Sequence, residues 1–228
     1  MRNLVFIFVC TSLLLGCKKS ETEVVDIGLK YYPTSANFYR IFQVDSLVFN
    51  DFTESVDTFQ YFIKETISEN YEVGNEIRTS VLDQKKLKLD DPFWLDNLSW
   101  SFQKDNFTVE ENKNNVPKIV LIFPLKSGIS WNSNTRNSLD QEEYTITNLQ
   151  SETILGKTFG DAIRIEKFNE TDPLQLNTEI GEEKYAPEVG LIYFYEKRVK
   201  RFTTGEETET PVDSGFVLTK QIIEYGQQ

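Results

Sequence analysis

The chain offers few side chains able to act as nucleophiles or general bases near neutral pH. It contains no histidine, and its two cysteines are Cys10 and Cys17. A Ser-His-Asp triad, a Cys-His pair and a zinc site of histidine and cysteine ligands are therefore excluded. What remains is carboxylate, lysine, tyrosine, serine and threonine chemistry. Carboxylates are plentiful, with 36 Asp and Glu, and a glycosidase needs two of them ~5 to 10 Å apart across a cleft. The adjacent pairs Glu142-Glu143, Glu182-Glu183 and Glu206-Glu207 would point to opposite faces on a strand, so they read as solvated charge.

One segment, Asp90-Asp91-Pro92-Phe93-Trp94-Leu95-Asp96-Asn97, sets aromatic rings among acids and an amide. Phe93 and Trp94, together with Trp131, are the candidate ligand contacts, suited to stacking on a sugar or covering an apolar mouth. The plainer reading folds Phe93, Trp94 and Leu95 inward as a plug at one end of a sheet. Oxygens of this segment suit Ca²⁺, but their spacing fits no EF-hand loop. No metal and no cofactor is expected.

Cys17 has a different use. Residues 4 to 17 read LVFIFVCTSLLLGC, and the ending Leu14-Leu15-Gly16-Cys17 resembles the lipobox of bacterial lipoproteins. That resemblance implies cleavage between Gly16 and Cys17 and lipid attachment to Cys17. Arg2, the apolar stretch and the small residue at the cut form the three regions of an export signal. From Leu4 to Leu15 is 12 residues, about 18 Å of helix, against about 30 Å of hydrocarbon to cross. The segment is too short to span. Two or three acyl chains on one cysteine imply lasting attachment. Lys18 follows the cut where enteric inner-membrane lipoproteins carry aspartate, so the expected location is the outer membrane, on its periplasmic or surface face.

Losing the first 16 residues would leave 212 and take the formal charge from −12 to −13. Nucleic acid is excluded as an expected partner because phosphate binding needs a basic footprint. Both cysteines are then accounted for, Cys10 with the leader and Cys17 with the lipid. No disulfide can form in the mature domain.

The elements that must position any site read as strands. Residues 17–37 are polar, broken by Gly28 and Pro33, and read as a tether, although Ile27, Leu29, Tyr31 and Tyr32 could begin an earlier element. A single domain follows over 38–228. Tyr39 to Phe49 carries apolar residues on both parities, the pattern of a buried strand. Thr58 to Ser68 alternates as a half-exposed partner. Leu98 to Val109 reads as one strand, and Val116 to Leu125, the most apolar run of the mature chain, is placed at the sheet centre. Glu143 to Ile154 with Asp161 to Phe168, and Val189 to Val199 with Gly215 to Tyr225, complete two pairs; the last two runs are joined by an acidic loop from Thr203 to Ser214. No helical period persists. The expected fold is all-β, an antiparallel sandwich or a curved, partly closed barrel-like sheet of about nine or ten strands.

The order Phe123-Pro124-x₃-Gly128-x₂-Trp131, Gly156-x-Thr158-Phe159 and Tyr185-Ala186-Pro187-x-Val189-Gly190-Leu191-Ile192-Tyr193 resembles a group of uncharacterised Bacteroidota lipoproteins. In the commoner pattern a second glycine stands where this chain has Glu188. The resemblance implies an envelope location and a β-rich body, and no activity. The Tyr185–Tyr193 motif itself reads as the shaped entry to a buried strand. Taken together, the sequence points to a non-catalytic envelope lipoprotein, attached to a membrane through Cys17 and binding a protein or glycan. The alternatives are a carrier or chaperone for an apolar ligand and a carboxylate-dependent hydrolase. Cys17→Ala should abolish lipid attachment and leave the chain at its precursor mass; a membrane-bound mutant of normal mature mass would refute the lipobox reading.

Overall fold

A computed structural model describes residues 26–171, 176–201 and 212–228. The expected leader, with Gly16 and Cys17, and most of the acidic loop beginning at Thr203 lie outside the described residues. Among those described are twelve strands: β1 Phe38–Asn50, β2 Ser55–Val73, β3 Glu76–Lys86, β4 Leu95–Lys104, β5 Thr108–Lys113, β6 Val116–Ile122, β7 Ser130–Asn132, β8 Glu143–Ile154, β9 Lys157–Thr171, β10 Asn177–Ala186, β11 Gly190–Lys200 and β12 Ser214–Gln227. They form one sheet in the order β6-β5-β4-β3-β2-β1-β12-β11-β10-β9-β8-β7. The first and last strands pair antiparallel from Phe38↔Gln227 to Phe49↔Gly215. The chain is thus an antiparallel meander that rolls into a nearly closed barrel, the curved form of the two expected.

Twelve strands exceed the nine or ten expected, and the reason is local. The run Leu98–Val109 is broken because the Asp105 carboxylate accepts the backbone N–H groups of Phe107 (2.7 Å) and Thr108 (2.6 Å), which turns the chain as Asp does in an Asx turn. The next turn is made by Asn114 and Asn115, both with positive φ (54° and 60°), as a tight hairpin demands. β6 also corrects the sequence reading: it stands at one edge of the sheet, not at its centre. Its apolar run is explained by inward packing of Val120 and Leu121 and by the seam it makes with β7. There Ile119 N–H donates to Ser133 O (3.0 Å), the Trp131 indole N–H to Ile119 O (2.9 Å) and the Asn137 amide to Pro117 O (2.7 Å).

One end of the barrel is stopped by residues 27–33, which composition alone assigns to the tether. Tyr31 and Tyr32 are 5% and 2% exposed and pack with Trp100, Phe102, Leu121, Tyr144 and Tyr185 in the larger of two core clusters. The Lys104 ammonium donates to the carbonyls of Leu29 (2.6 Å) and Tyr32 (2.7 Å), and Glu188 N–H donates to Lys30 O (2.8 Å). The packed domain therefore begins ahead of residue 38. Phe93 and Leu95, expected to form the plug, are 76% and 70% exposed instead. The Tyr185–Tyr193 motif supplies the turn above the plug, as read. Gly190 has φ 82°, and a Cβ there would lie 2.7 Å from Arg40 Nη1 and 3.1 Å from Pro33. Glu188 holds φ 62°, a conformation that favours glycine, which accounts for the second glycine of the commoner pattern. The second core cluster, around Phe42, Ile63, Phe159, Ile192 and Ile222, fills another part of the barrel.

Replacing Tyr31 or Tyr32 by alanine should lower unfolding free energy by about 3–5 kcal/mol, whereas Phe93→Ala should change it by less than ~0.5 kcal/mol. Urea denaturation of the three variants distinguishes the two plugs; a loss at Phe93 matching those at the tyrosines would contradict the assignment.

Candidate ligand-binding site

Alternate residues of a barrel strand face inward, and several of those positions here carry charge. Arg40 of β1, Glu65 of β2, Asp83 of β3, Lys167 of β9 and Glu183 of β10 are all buried. Each has a partner, as a buried charge requires. Arg40 Nη2 meets Glu65 Oε2 at 2.7 Å, and the Trp100 indole N–H donates to Asp83 Oδ1 at 2.8 Å.

Two carboxylates are held in the same way. The Tyr32 hydroxyl donates to Glu111 Oε1 (2.7 Å) while the Lys113 ammonium binds Oε2 (2.6 Å). The Tyr185 hydroxyl donates to Glu183 Oε2 (2.7 Å) while the Lys167 ammonium lies 3.2 Å from Oε1. In each relay a tyrosine fixes the acid from one side and the acid fixes a lysine on the other. Aromatic faces complete the seats: Lys113 Nζ is 4.0 Å from the Trp100 ring centre, and Lys167 Nζ is 4.7 Å from that of Phe194. Cation–π attraction strengthens where water is excluded.

The electrostatics set a direction for both lysines, both tyrosines and Glu111. Burial pushes the Lys113 ammonium down, but the charges of Glu111 and Glu65 outweigh it and the net direction is up. For Lys167 burial is likewise outweighed by Glu183, and its pKa rises. Glu111 is raised by burial and lowered more by Lys113, Tyr32 and Arg40, so it stays ionised. Burial and Glu111 push the Tyr32 hydroxyl far up; burial and Glu183 do the same to Tyr185. Neither lysine is a neutral amine near neutral pH, and neither tyrosine is a phenolate. The arrangement can bind charge; it is not built to attack a carbonyl.

Lys113 and Lys167 line a cavity of about 190 Å³ with Glu111, Glu183, Tyr144 and Phe194. This cavity shares Lys118 and Lys167 with an open groove of about 730 Å³. The groove runs along the loop before β8 and the ends of β9 to β11. Asp140, Glu142, Glu143, Glu166, Glu170 and Glu179 line it against three cations, Lys118, Lys167 and Arg198. Glu142 bridges Lys118 Nζ (2.5 Å) and Arg198 Nη2 (3.4 Å), and Arg198 also binds Glu179 (2.7 Å) and Glu196 (2.7 Å). The Arg198 guanidinium lies 4.4 Å from the Phe168 ring centre, so that ring is covered.

The sequence-derived contacts stand elsewhere. Phe93 and Trp94 lie on the connection from β3 to β4, with Lys86 Nζ 4.6 Å from the Trp94 ring centre. Trp131 is at the seam and packs on Tyr144 with ring centres 5.7 Å apart. The three are not brought together in the groove or the cavity. Of the acidic pairs, Glu142-Glu143 does line the groove, and Glu182-Glu183 splits as expected: Glu183 faces the interior and Glu182 pairs with Arg164 on the other side. Sequence reading missed Glu111, Lys113, Lys167 and Arg198. Their signal was parity: Lys167 follows Ile163 and Ile165 at two-residue steps, on the face that those residues bury.

No protein-family model matches the chain, and no curated protein matches it. Two solved structures are similar in fold over 86% of this chain and 98% of their own. One is a protein from Bacteroides fragilis described as exported and as having a YmcC-like fold, at 8% identity and a TM-score of 0.46. The other is described as a lipoprotein and comes from Parabacteroides distasonis, at 9% identity and a TM-score of 0.45. No role is taken from either.

Asp83 gives the site region a pH dependence. Burial raises its carboxyl, the Glu65 charge adds to this, and the Trp100 hydrogen bond offsets only part, leaving it at about 6 against an ordinary 3.8. Between those values the folded chain holds a proton that the unfolded chain has released, so this group withdraws stability as pH rises through the window. Asp83→Asn keeps an acceptor for Trp100 without the charge. Its stability relative to the wild type should therefore increase from about pH 4 to about pH 7; a pH-independent difference in urea unfolding would contradict it.

Proposed function

We propose that this chain is an envelope protein held to the outer membrane by lipid on Cys17, and that its barrel binds a partner without catalysis. The lipobox supports the address. The groove that continues through Lys118 and Lys167 into the barrel supports binding. Of the two partner classes suggested by sequence, a protein segment fits better than a glycan. Six carboxylates against three cations favour a basic, polar occupant, and one face of the groove's Phe168 ring is taken by Arg198 instead of being open to a sugar.

The alternatives have less support. A carrier for an apolar ligand calls for an enclosed apolar cavity of at least ~300 Å³; the groove is lined largely by charged and amide groups, the inner cavity holds about 190 Å³, and the apolar hollow of about 440 Å³ beside Ile27, Leu29, Phe107 and Phe123 is open to solvent. A hydrolase calls for two convergent acids free to exchange protons, and of the groove's six acids Glu142 and Glu179 are committed to Arg198.

The test is a peptide and glycan array probed with the full mature protein in detergent. Lys- and Arg-rich peptides should be retained, with retention falling as salt rises. Charge reversal at Glu143 and Glu170 should weaken it by roughly tenfold or more. Salt-insensitive capture of neutral sugars alone would overturn the protein-segment reading.

A further inference from the structure

The inner cavity has a chemistry of its own, richer in cations than the groove, with Lys118 also paired to Glu142 of the groove (2.5 Å). Its lining holds three ammonium groups, Lys113, Lys118 and Lys167, against two carboxylates, Glu111 and Glu183. Both acids are engaged on each oxygen, by a tyrosine hydroxyl on one and a lysine on the other. The lysines are not saturated. An ammonium has three N–H donors, and among the described residues Lys113 has Glu111 as its one acceptor and Lys167 has Glu183. Lys167 is 8% exposed, so its spare donors are inside the protein. Two N–H groups of Lys167 thus lack a protein acceptor inside the protein, and the Lys113 ammonium, on a side chain 40% exposed, faces the same cavity of about 190 Å³, about six times the volume of a water.

We infer that this cavity is an oxyanion site, taking a phosphate or carboxylate group between Lys113 and Lys167 with Lys118 at its entrance. Tyr32 and Tyr185 act as positioning residues, since each fixes the glutamate that aims a lysine. The relays explain why the lysines stay cationic, and Phe194, Val116 and Val120 supply a wall that limits water and strengthens charge-assisted hydrogen bonds. The anion has two sources: a free small anion, or the terminal carboxylate of a segment lying in the groove. This inference goes beyond the groove reading and stands or falls separately from it.

The experiment is isothermal titration of the full mature protein in detergent with sodium phosphate and with sodium acetate, at constant ionic strength set by chloride. Saturable one-to-one binding is expected, with Trp100 fluorescence responding because Lys113 sits on its ring. Lys167→Met should weaken binding about tenfold or more. That variant leaves Glu183 unpaired, so Lys118→Met, nearer solvent, is the companion and should also weaken binding while the far-ultraviolet spectrum is unchanged. In a second arm, basic peptides with a free and an amidated C-terminus are compared. Binding of phosphate or acetate without an amidation effect supports the site with a free anion as its ligand. An amidation loss of about tenfold supports it with the peptide carboxylate as the ligand. Neither anion binding nor an amidation effect overturns the oxyanion site, even where amidated peptides bind and the groove reading survives.

Discussion

Glu111 and Glu183 are carboxylates on the inner face of the sheet, and the surrounding structure is organised around pairing them. An unpaired carboxylate there would cost several kcal/mol, and removing one partner of a buried pair is correspondingly severe. The solution is repeated twice: tyrosine, glutamate, lysine, with each carboxylate oxygen engaged. One tyrosine comes from the segment that stops the barrel and the other from β10. The plug is therefore part of the electrostatic network as well as of the apolar core. Lys104 reinforces this link, because burial pulls its ammonium down to about 8 while two plug carbonyls accept its hydrogen bonds.

The same economy appears in the closure of the sheet. Pairing of β1 with β12 leaves β6 and β7 as the two edges, and unpaired edges invite aggregation. Trp131 and Asn137 cover them with side-chain hydrogen bonds to Ile119 and Pro117. The loop that does so continues through Asn134 and Asp140, where the Asn134 amide donates to Asp140 O (2.6 Å), and then forms one wall of the groove. The groove is thus built on the seam, where the sheet has backbone and side chains not committed to a neighbouring strand.

Legibility from sequence varied with how local the cause was. The all-β class, the absence of long helices among the described residues, and the turn at Pro187–Gly190 were readable, because alternation and turn residues act within a few positions. The plug was misplaced. Phe93, Trp94 and Leu95 look apolar enough to be buried, but Ile27–Tyr32 is the segment that meets a barrel end, and a composition window cannot tell which of two apolar islands finds a cavity. β6 was misplaced for a related reason: inward packing plus a seam gives an edge strand the hydrophobicity of a central one. Glu111, Lys113, Lys167 and Glu183 were unreadable as a cluster, since β5, β9 and β10 are far apart in sequence and only the meander brings their inner faces around one cavity.

By itself, then, the sequence determined what chemistry was absent and which strands could form. The lack of histidine, the restriction of cysteine to positions 10 and 17, and the period-two patterning are properties of residue type and short spacing. Tertiary structure decided where charge is buried. Whether a lysine at an inward position is a cost or a binding group depends on the acid, the ring and the hydroxyl placed around it, and those come from strands whose adjacency is set by sheet closure.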